Sequence, residues 1–579
     1  MRNGLLVRHF LNQFVENDLS PDADRHQVLA LTTAALVTVP LFVTMFMGMR
    51  YLMRPLQAPG WTVTTAMEDE VVFCAASMLV AAVVATLEWD ALGLSPRDAV
   101  ILGVLPVSHR TIVRAKITSL LTFAAAFVLA LNAWPTLLHP PLMVAQLPLN
   151  PVVLVPLIGA QALSTMTAGA FGFACVLGVR ESLCLCLGRR RFTRISGFVR
   201  SGLLFSLLML LALVPIRLSG SADWMFEPVP IPVLLRPVSW FAALHAATAG
   251  RVVDRLPRPD LPTPLALEER RLTVEYRRSL PELSARAFRG IAVLAVTLTA
   301  SLVIYLWNAR RLQILMEVPG RTSFFELSRF SRQVARTIVR RPARRAGMWF
   351  LVKTVSGNPL HRAYLIAFTV AGLALLLAMG ITAYPMQASL PLRTSTLAAQ
   401  TLMLAAVTAG FRAAIRTSAD HQASWLFGVA ETGTIREFRR GVRAGVMAVV
   451  VAILVLLLPV YRAAWGLSVA LLHTMNGMAL GWLLVEIAFA NVDKPLVWTI
   501  PPSDSLNTEG VVRLGAAVIA IFAVAHIELA ALSAGIGRII FTVALLVIAA
   551  AVHHATERDL VGSTALPPSS TGGTLSDCT

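Results

Sequence analysis

EWDALGLSPRDAVILGVLPVSHRTIVRAK, from Glu88 to Lys116, is a short polar interruption between two long apolar runs. Ser95 is placed to cap a helix: Pro96 follows where a missing N–H costs nothing, and Asp98 puts negative charge on the positive helix end. Pro106 stops that helix after about two to three turns. Ser108 caps a second helix, which carries Arg110, Arg114 and Lys116 before it turns apolar at Ile117. The first helix is too small for a domain and too charged for a membrane core. Val100, Ile101, Leu102, Val104 and Leu105 suit lipid or a span, whereas Arg97, Asp98, His109 and Arg110 suit a soluble partner. A plain interfacial connector is the alternative.

The flanking runs extend through the chain. Its 579 residues are 56% hydrophobic and 14% charged, with mean hydropathy +0.69; in soluble globular proteins charged residues are about a quarter. An all-α integral membrane protein is predicted, since runs of about twenty apolar residues cross a hydrocarbon core as helices. The short alternating strands of a β-barrel are missing from the pattern. Run length predicts about twelve spans, near 28–47, 71–87, 117–137, 152–178, 198–215, 288–307, 363–384, 396–414, 442–460, 467–489, 511–532 and 536–552.

Lys and Arg total 50 against 32 acids, a net charge of +18. The basic residues cluster at Arg189, Arg190, Arg191, Arg194 and over 310–345, on the same side as the Glu88–Lys116 segment. They therefore mark the cytoplasmic side of the plasma membrane and anionic-lipid contact, with no nucleic acid, and both termini are expected in the cytoplasm. Residues 1–27 read as a cytoplasmic amphipathic segment (Leu5, Leu6, Phe10, Leu11, Phe14, Val15) and not as a cleavable signal peptide. Residues 28–307 form a first six-span half with an external loop at about 216–287, whose later part has too few apolar residues for a core. A basic linker, 308–362, leads to a second six-span half, 363–553, and a polar disordered tail, 554–579. Six spans per half make a parallel repeat. The second half repeats the tryptophan-centred loop, with Trp425, Phe427, Glu431, Glu437 and Phe438, and Thr434 to Glu437 has capping-box spacing.

No G-x-x-x-x-G-K-[ST], H-E-x-x-H or G-x-S-x-G occurs, and no cysteine–histidine array has zinc spacing, so neither catalytic residues nor metal ligands are expected. Ionisable residues in or beside spans are costly and so become candidates: Glu68, Asp69, Glu70, Arg412, Glu486, His526 and Glu528. Their plainer readings are acids favoured at a helix N-terminus, a Glu528–Arg538 pair, and Arg412 and Glu486 snorkelling to water.

Trp89-Asp90, Ser95-Pro96-Arg97-Asp98, Leu105-Pro106-Val107 and Thr111 through Ala115-Lys116 resemble the loop between the second and third spans of permease subunits in type-2 ATP-binding-cassette (ABC) exporters. The resemblance is sharp over about thirty residues and otherwise one of hydropathy plan. It implies a coupling helix that docks in a groove of an ATPase, with Trp89, Pro96, Arg97, Asp98, Leu102, Leu105, Pro106, Arg110 and Lys116 at the contact. It further implies two ATPase subunits as partners, with ATP and Mg held there and no cofactor in this chain. Two alternatives stay open. A multi-span lipid-dependent glycosyltransferase would use Glu68, Asp69 and Glu70 at the close of an external loop, and an ion-coupled carrier would use His526, Glu528 or Glu486 as a proton relay.

Overall fold

The computed structural model describes residues 2–15, 38–49, 51, 59–94, 98, 102, 107–143, 151–218, 236–253, 263–312, 341–382, 392–416, 435–489, 508–533 and 535–563. Among them every regular element is a helix. Nine helical segments among the described residues are long and apolar enough to cross a membrane, the architecture of a multi-pass membrane protein. Val455 and Leu456, among others, expose their aliphatic side chains on such segments. The chain divides into two units, Met1–Thr322 and Ser323–Thr579.

In the first unit α1 is Arg2–Val15, α2 Thr38–Met49, α3 Pro59–Leu87, α4 His109–Met143, α5 Pro151–Leu218, α6 Arg236–Val253 and α7 Thr263–Leu312. Lipid is as apolar as leucine, so close packing and interhelical hydrogen bonds, rather than hydrophobicity, hold such helices together. Small residues let α3 and α5 approach: a Cβ at Gly172 would lie 2.1 Å from the carbonyl oxygen of Met78. Helix α5 joins two spans, Leu154–Gly188 and Ile195–Ala212, through Gly188 at φ 70°, ψ 156°. Only glycine adopts that conformation readily. The basic cluster Arg189–Arg194 thus directly follows a break within one helix.

The external loop expected at 216–287, with a later part too poor in apolar residues for a core, is also corrected. Helix α6 and the first half of α7 occupy much of it, and Val238, Phe241, Ala242, Ala246, Tyr276 and Leu283 are buried in the same core as Met67, Val71 and Phe171. The alanines of α6 bring backbones together without large side chains, and the Tyr276 hydroxyl donates to the Ala246 carbonyl at 2.7 Å.

In the second unit α8 is Pro342–Gly357, α9 Pro359–Thr382, α10 Thr394–Arg416, α11 Ile435–Trp465, α12 Leu467–Phe489, α13 Thr508–Ser533 and α14 Gly537–Ser563. Val442, Val446, Val450 and Leu454, one every four residues, make a fully buried stripe on α11. Helix α8 lies in the stretch read as linker but is part of the fold, because Leu351 joins this core and reciprocal glycines set its crossing with α11. A Cβ at Gly347 would lie 2.1 Å from the Phe438 carbonyl oxygen, and one at Gly441 1.9 Å from that of Arg344. The tail expected to be disordered from 554 onward continues as helix to Ser563.

Gly441→Val must push α8 off α11. A loss of about 1–3 kcal/mol is expected, measured as a lower melting temperature of the purified protein. Gly357→Ala, whose Cβ meets nothing within 4 Å, should melt like the wild type.

Candidate functional site

The segment between α3 and α4 is tied down at two points. At its start Trp89 is buried, its indole Nε1 donating to Ser196 Oγ at 2.8 Å and its carbonyl accepting from Arg180 Nε at 2.8 Å. Arg200 ion-pairs with Asp90 at 2.8 Å and donates to the Leu87 carbonyl, satisfying a helix-end acceptor of α3. Arg180 also pairs with Glu181, which accepts from Asn308 Nδ2 at 2.7 Å, so α3, α5 and α7 meet at this corner.

Farther along, α1 covers the segment. Gln13 donates from Nε2 to Asp98 Oδ1 at 2.8 Å and accepts at Oε1 from Lys116 Nζ at 2.9 Å. His9 Nε2 stands 3.8 Å from the same Asp98 oxygen. Lys116, with no exposed surface, lies over the rings of Phe10 at 4.7 Å and Phe14 at 5.2 Å. Leu102 packs with Phe10 and Ala115, and Phe14 stacks on Phe123 at 4.5 Å. The amphipathic helix foreseen at the N-terminus is therefore present over Arg2–Val15, with its apolar face on α4. Ser108 caps α4 as its sequence suggests, accepting from Thr111 N–H at 3.3 Å. Asp98 and Leu102, expected to face a soluble partner, instead face α1; Arg110 is exposed. Pro96, Arg97, Leu105 and Pro106 lie outside the described residues, as do Trp425, Phe427 and Glu431.

The intramembrane candidates also find partners. Glu68, Asp69 and Glu70 lie well inside α3 and do not close a loop; Asp69 and Glu70 are completely buried. Asp69 accepts from the Tyr51 hydroxyl at 2.8 Å, with His139 Nε2 at 3.4 Å, while Glu70 accepts from Ser164 Oγ and from the Cys74 thiol at 3.3 Å. Lower in the same bundle Asn132 Nδ2 donates to Ser77 Oγ at 2.9 Å, and Ser77 donates to the Thr165 carbonyl at 2.8 Å.

In the second unit Glu528 is buried and its Oε1 lies 2.8 Å from both His473 Nδ1 and Asn476 Nδ2. Thr542 Oγ1 donates to Asn476 Oδ1 at 2.7 Å, and His473 meets edge-on both rings of the stacked pair Tyr461 and Trp465. Arg538 donates to the Leu532 carbonyl at 2.8 Å, so the expected Glu528–Arg538 pair does not form. His526 is exposed, on a different face of α13.

Glu486 is buried and does not snorkel, whereas Arg412 is partly exposed at a helix end. Arg412 Nη1 donates to the carbonyls of Ile487 at 2.9 Å and Ala488 at 2.8 Å, and Arg439 donates to that of Phe489 at 2.9 Å. The last acceptors of α12 are satisfied by cations that its dipole favours. Glu486 takes Arg443 at 3.1 Å, His553 Nδ1 at 2.8 Å and Thr556 Oγ1 at 3.1 Å. Glu437, at the third position of α11 as its capping-box spacing suggests, binds Arg341, Arg344 and Arg440, and Phe438 packs on Phe350 at 5.5 Å. Glu557 gathers Arg436, Arg440 and Arg443.

Gln13, Arg180, Arg200, His139, His473, Asn476 and Glu557 escaped the reading of the sequence. For four of them a signal was there: Gln13 is a polar residue between Phe10 and Phe14 on an apolar helix face, and His139, His473 and Asn476 are isolated polar residues in apolar runs. No group of three or more His, Cys, Asp or Glu able to hold a metal occurs among the described residues. Comparison with family models, with curated proteins and with solved structures finds no match to this chain.

For the buried His473–Glu528 pair, a double-mutant cycle with His473→Ala and Glu528→Ala in the purified protein should give a coupling energy of about 1–3 kcal/mol. Additive losses of stability would show that the two side chains do not interact.

Proposed function

We propose that this chain is the membrane subunit of an exporter of the type-2 ABC kind, driven by ATP hydrolysis on separate ATPase subunits. In this reading the protein has twelve spans in two parallel six-span halves. Both termini and the Glu88–Lys116 segment are cytoplasmic, and two ATPase copies carry ATP and Mg.

The observation that carries the reading is the double attachment of the interspan segment. Force applied near Asp98 passes through Gln13 and Lys116 to α1 and α4, and force at Trp89-Asp90 passes through Ser196, Arg180 and Arg200 to α5. The sequence resemblance suggests the nature of the partner, and the absence of a G-x-x-x-x-G-K-[ST] motif from the sequence agrees with nucleotide chemistry on a separate subunit. The docking surface then comprises Arg97, Leu105 and Arg110 with the outer face of α1, while Asp98, Leu102 and Lys116 hold the segment from within.

A carrier is the second reading, favoured by one buried acid–histidine pair in each unit: Asp69 with His139, and Glu528 with His473. The glycosyltransferase alternative loses ground, because Asp69 and Glu70 are enclosed within a helix bundle rather than presented in a loop.

Affinity purification of the tagged full-length protein from its native host is the decisive test. Co-purification of a Walker A ATPase is expected. Arg200→Ala should leave that ATPase bound while transport-coupled ATP hydrolysis falls severalfold, since it removes one of the three links into α5 and leaves the docking surface untouched. Recovery of the intact protein with no ATPase, under conditions that keep other transporter complexes together, would refute the exporter assignment and favour the carrier.

A further inference from the structure

We propose that the arginine cluster joining α8, α11 and α14 is a seat for the phosphate of an anionic phospholipid. Five guanidiniums, those of Arg341, Arg344, Arg436, Arg440 and Arg443, share three carboxylates, those of Glu437, Glu486 and Glu557. The excess is two positive charges. The carboxylates sit on the inner side of the cluster, at 20%, 3% and 9% exposure, whereas Arg341, Arg436 and Arg344 are 66%, 47% and 37% exposed. Negative charge thus holds the arginines from within and leaves their outer N–H groups to an incoming anion.

Two further features raise the local positive potential. Helices α8 and α11 both begin here, at Pro342 and Ile435, so two helix N-termini stand beside the cluster. Arg443, only 7% exposed, spends Nη1 on Glu486 and Glu557, and its Nε and Nη2 are buried without a hydrogen-bond acceptor. Burying guanidinium N–H groups in this way is costly, and a phosphate oxygen is the acceptor they lack.

The position in the membrane selects a lipid over a free anion. The apolar span of α11 starts at Arg436 and that of α14 ends at Glu557, so the cluster stands at the level where hydrocarbon gives way to headgroups. Val449 and Leu456 on α11, with Val547 and Ile548 on α14, expose aliphatic surface for acyl chains along the same two helices. The ligand class is therefore a phosphodiester carrying a net negative charge above two acyl chains.

The test is lipid retention by the full-length protein in detergent, read by native mass spectrometry after incubation with phosphatidylglycerol or phosphatidylcholine. Wild-type protein should keep phosphatidylglycerol in preference. Arg341→Gln alone should weaken retention about fivefold, and Arg341→Gln, Arg344→Gln and Arg436→Gln together at least tenfold. Removing the same charge from α7, with Arg270→Gln, Arg271→Gln and Arg278→Gln, should change nothing. The single variant keeps the test readable should the triple one fail to fold, because Arg341 is the most exposed member. Equal retention by wild type and Arg341→Gln would overturn the proposal, as would equal binding of the two lipids. Displacement of phosphatidylglycerol by millimolar inorganic phosphate would show a free-anion site and sink the lipid assignment.

Discussion

A polar group that leaves water for a membrane-embedded bundle must find its partner within that bundle, and the arrangement of this chain follows from that requirement. Several helix contacts that fix direction, as opposed to mere proximity, are polar: Asn132 to Ser77, Glu528 to His473, Arg412 to the end of α12. Apolar stripes such as Val442–Val446–Val450 bring helices near one another, but hydrocarbon surroundings offer such stripes equally good company. Backbone contact at Gly172, Gly347 and Gly441 and the satisfied polar pairs together distinguish one packing from its neighbours.

Where the sequence was legible, a local rule sufficed. Run length located the nine helices among the described residues that are long and apolar enough to cross a membrane, the spacing of Phe10 and Phe14 disclosed α1, and Ser108 marked the start of α4. Partners remote in sequence were hidden, since nothing near Asp98 names Gln13, eighty-five positions away, and nothing near Trp89 names Ser196. Helix α6 was hidden for another reason. Its buried face is made of Ala242, Ala243 and Ala246 around Phe241, and a search for large apolar residues passes over a surface that packs by being small.

The charged candidates divide by the kind of partner they meet. Arg412, Arg439 and Arg200 close helix ends, a structural task that the helix dipole makes favourable. Glu70 accepts from the neutral Ser164 and Cys74, and Glu528 from His473 and Asn476, deep in the bundle, where burying a carboxylate is costly. These two carboxylates are accordingly the groups whose presence stability alone explains least.

Gly188 gives the Trp89 corner a mechanical meaning. Arg180 lies before this break in α5, and Ser196 and Arg200 lie after it, yet all three hold the same few atoms of Leu87, Trp89 and Asp90. The end of α3 is thus a brace across a joint, and the angle between the two arms of α5 cannot change without pulling on it. Displacing one tryptophan would therefore bend a helix more than sixty residues long at its single weak point, turning a small movement at a surface loop into a change of tilt across the membrane.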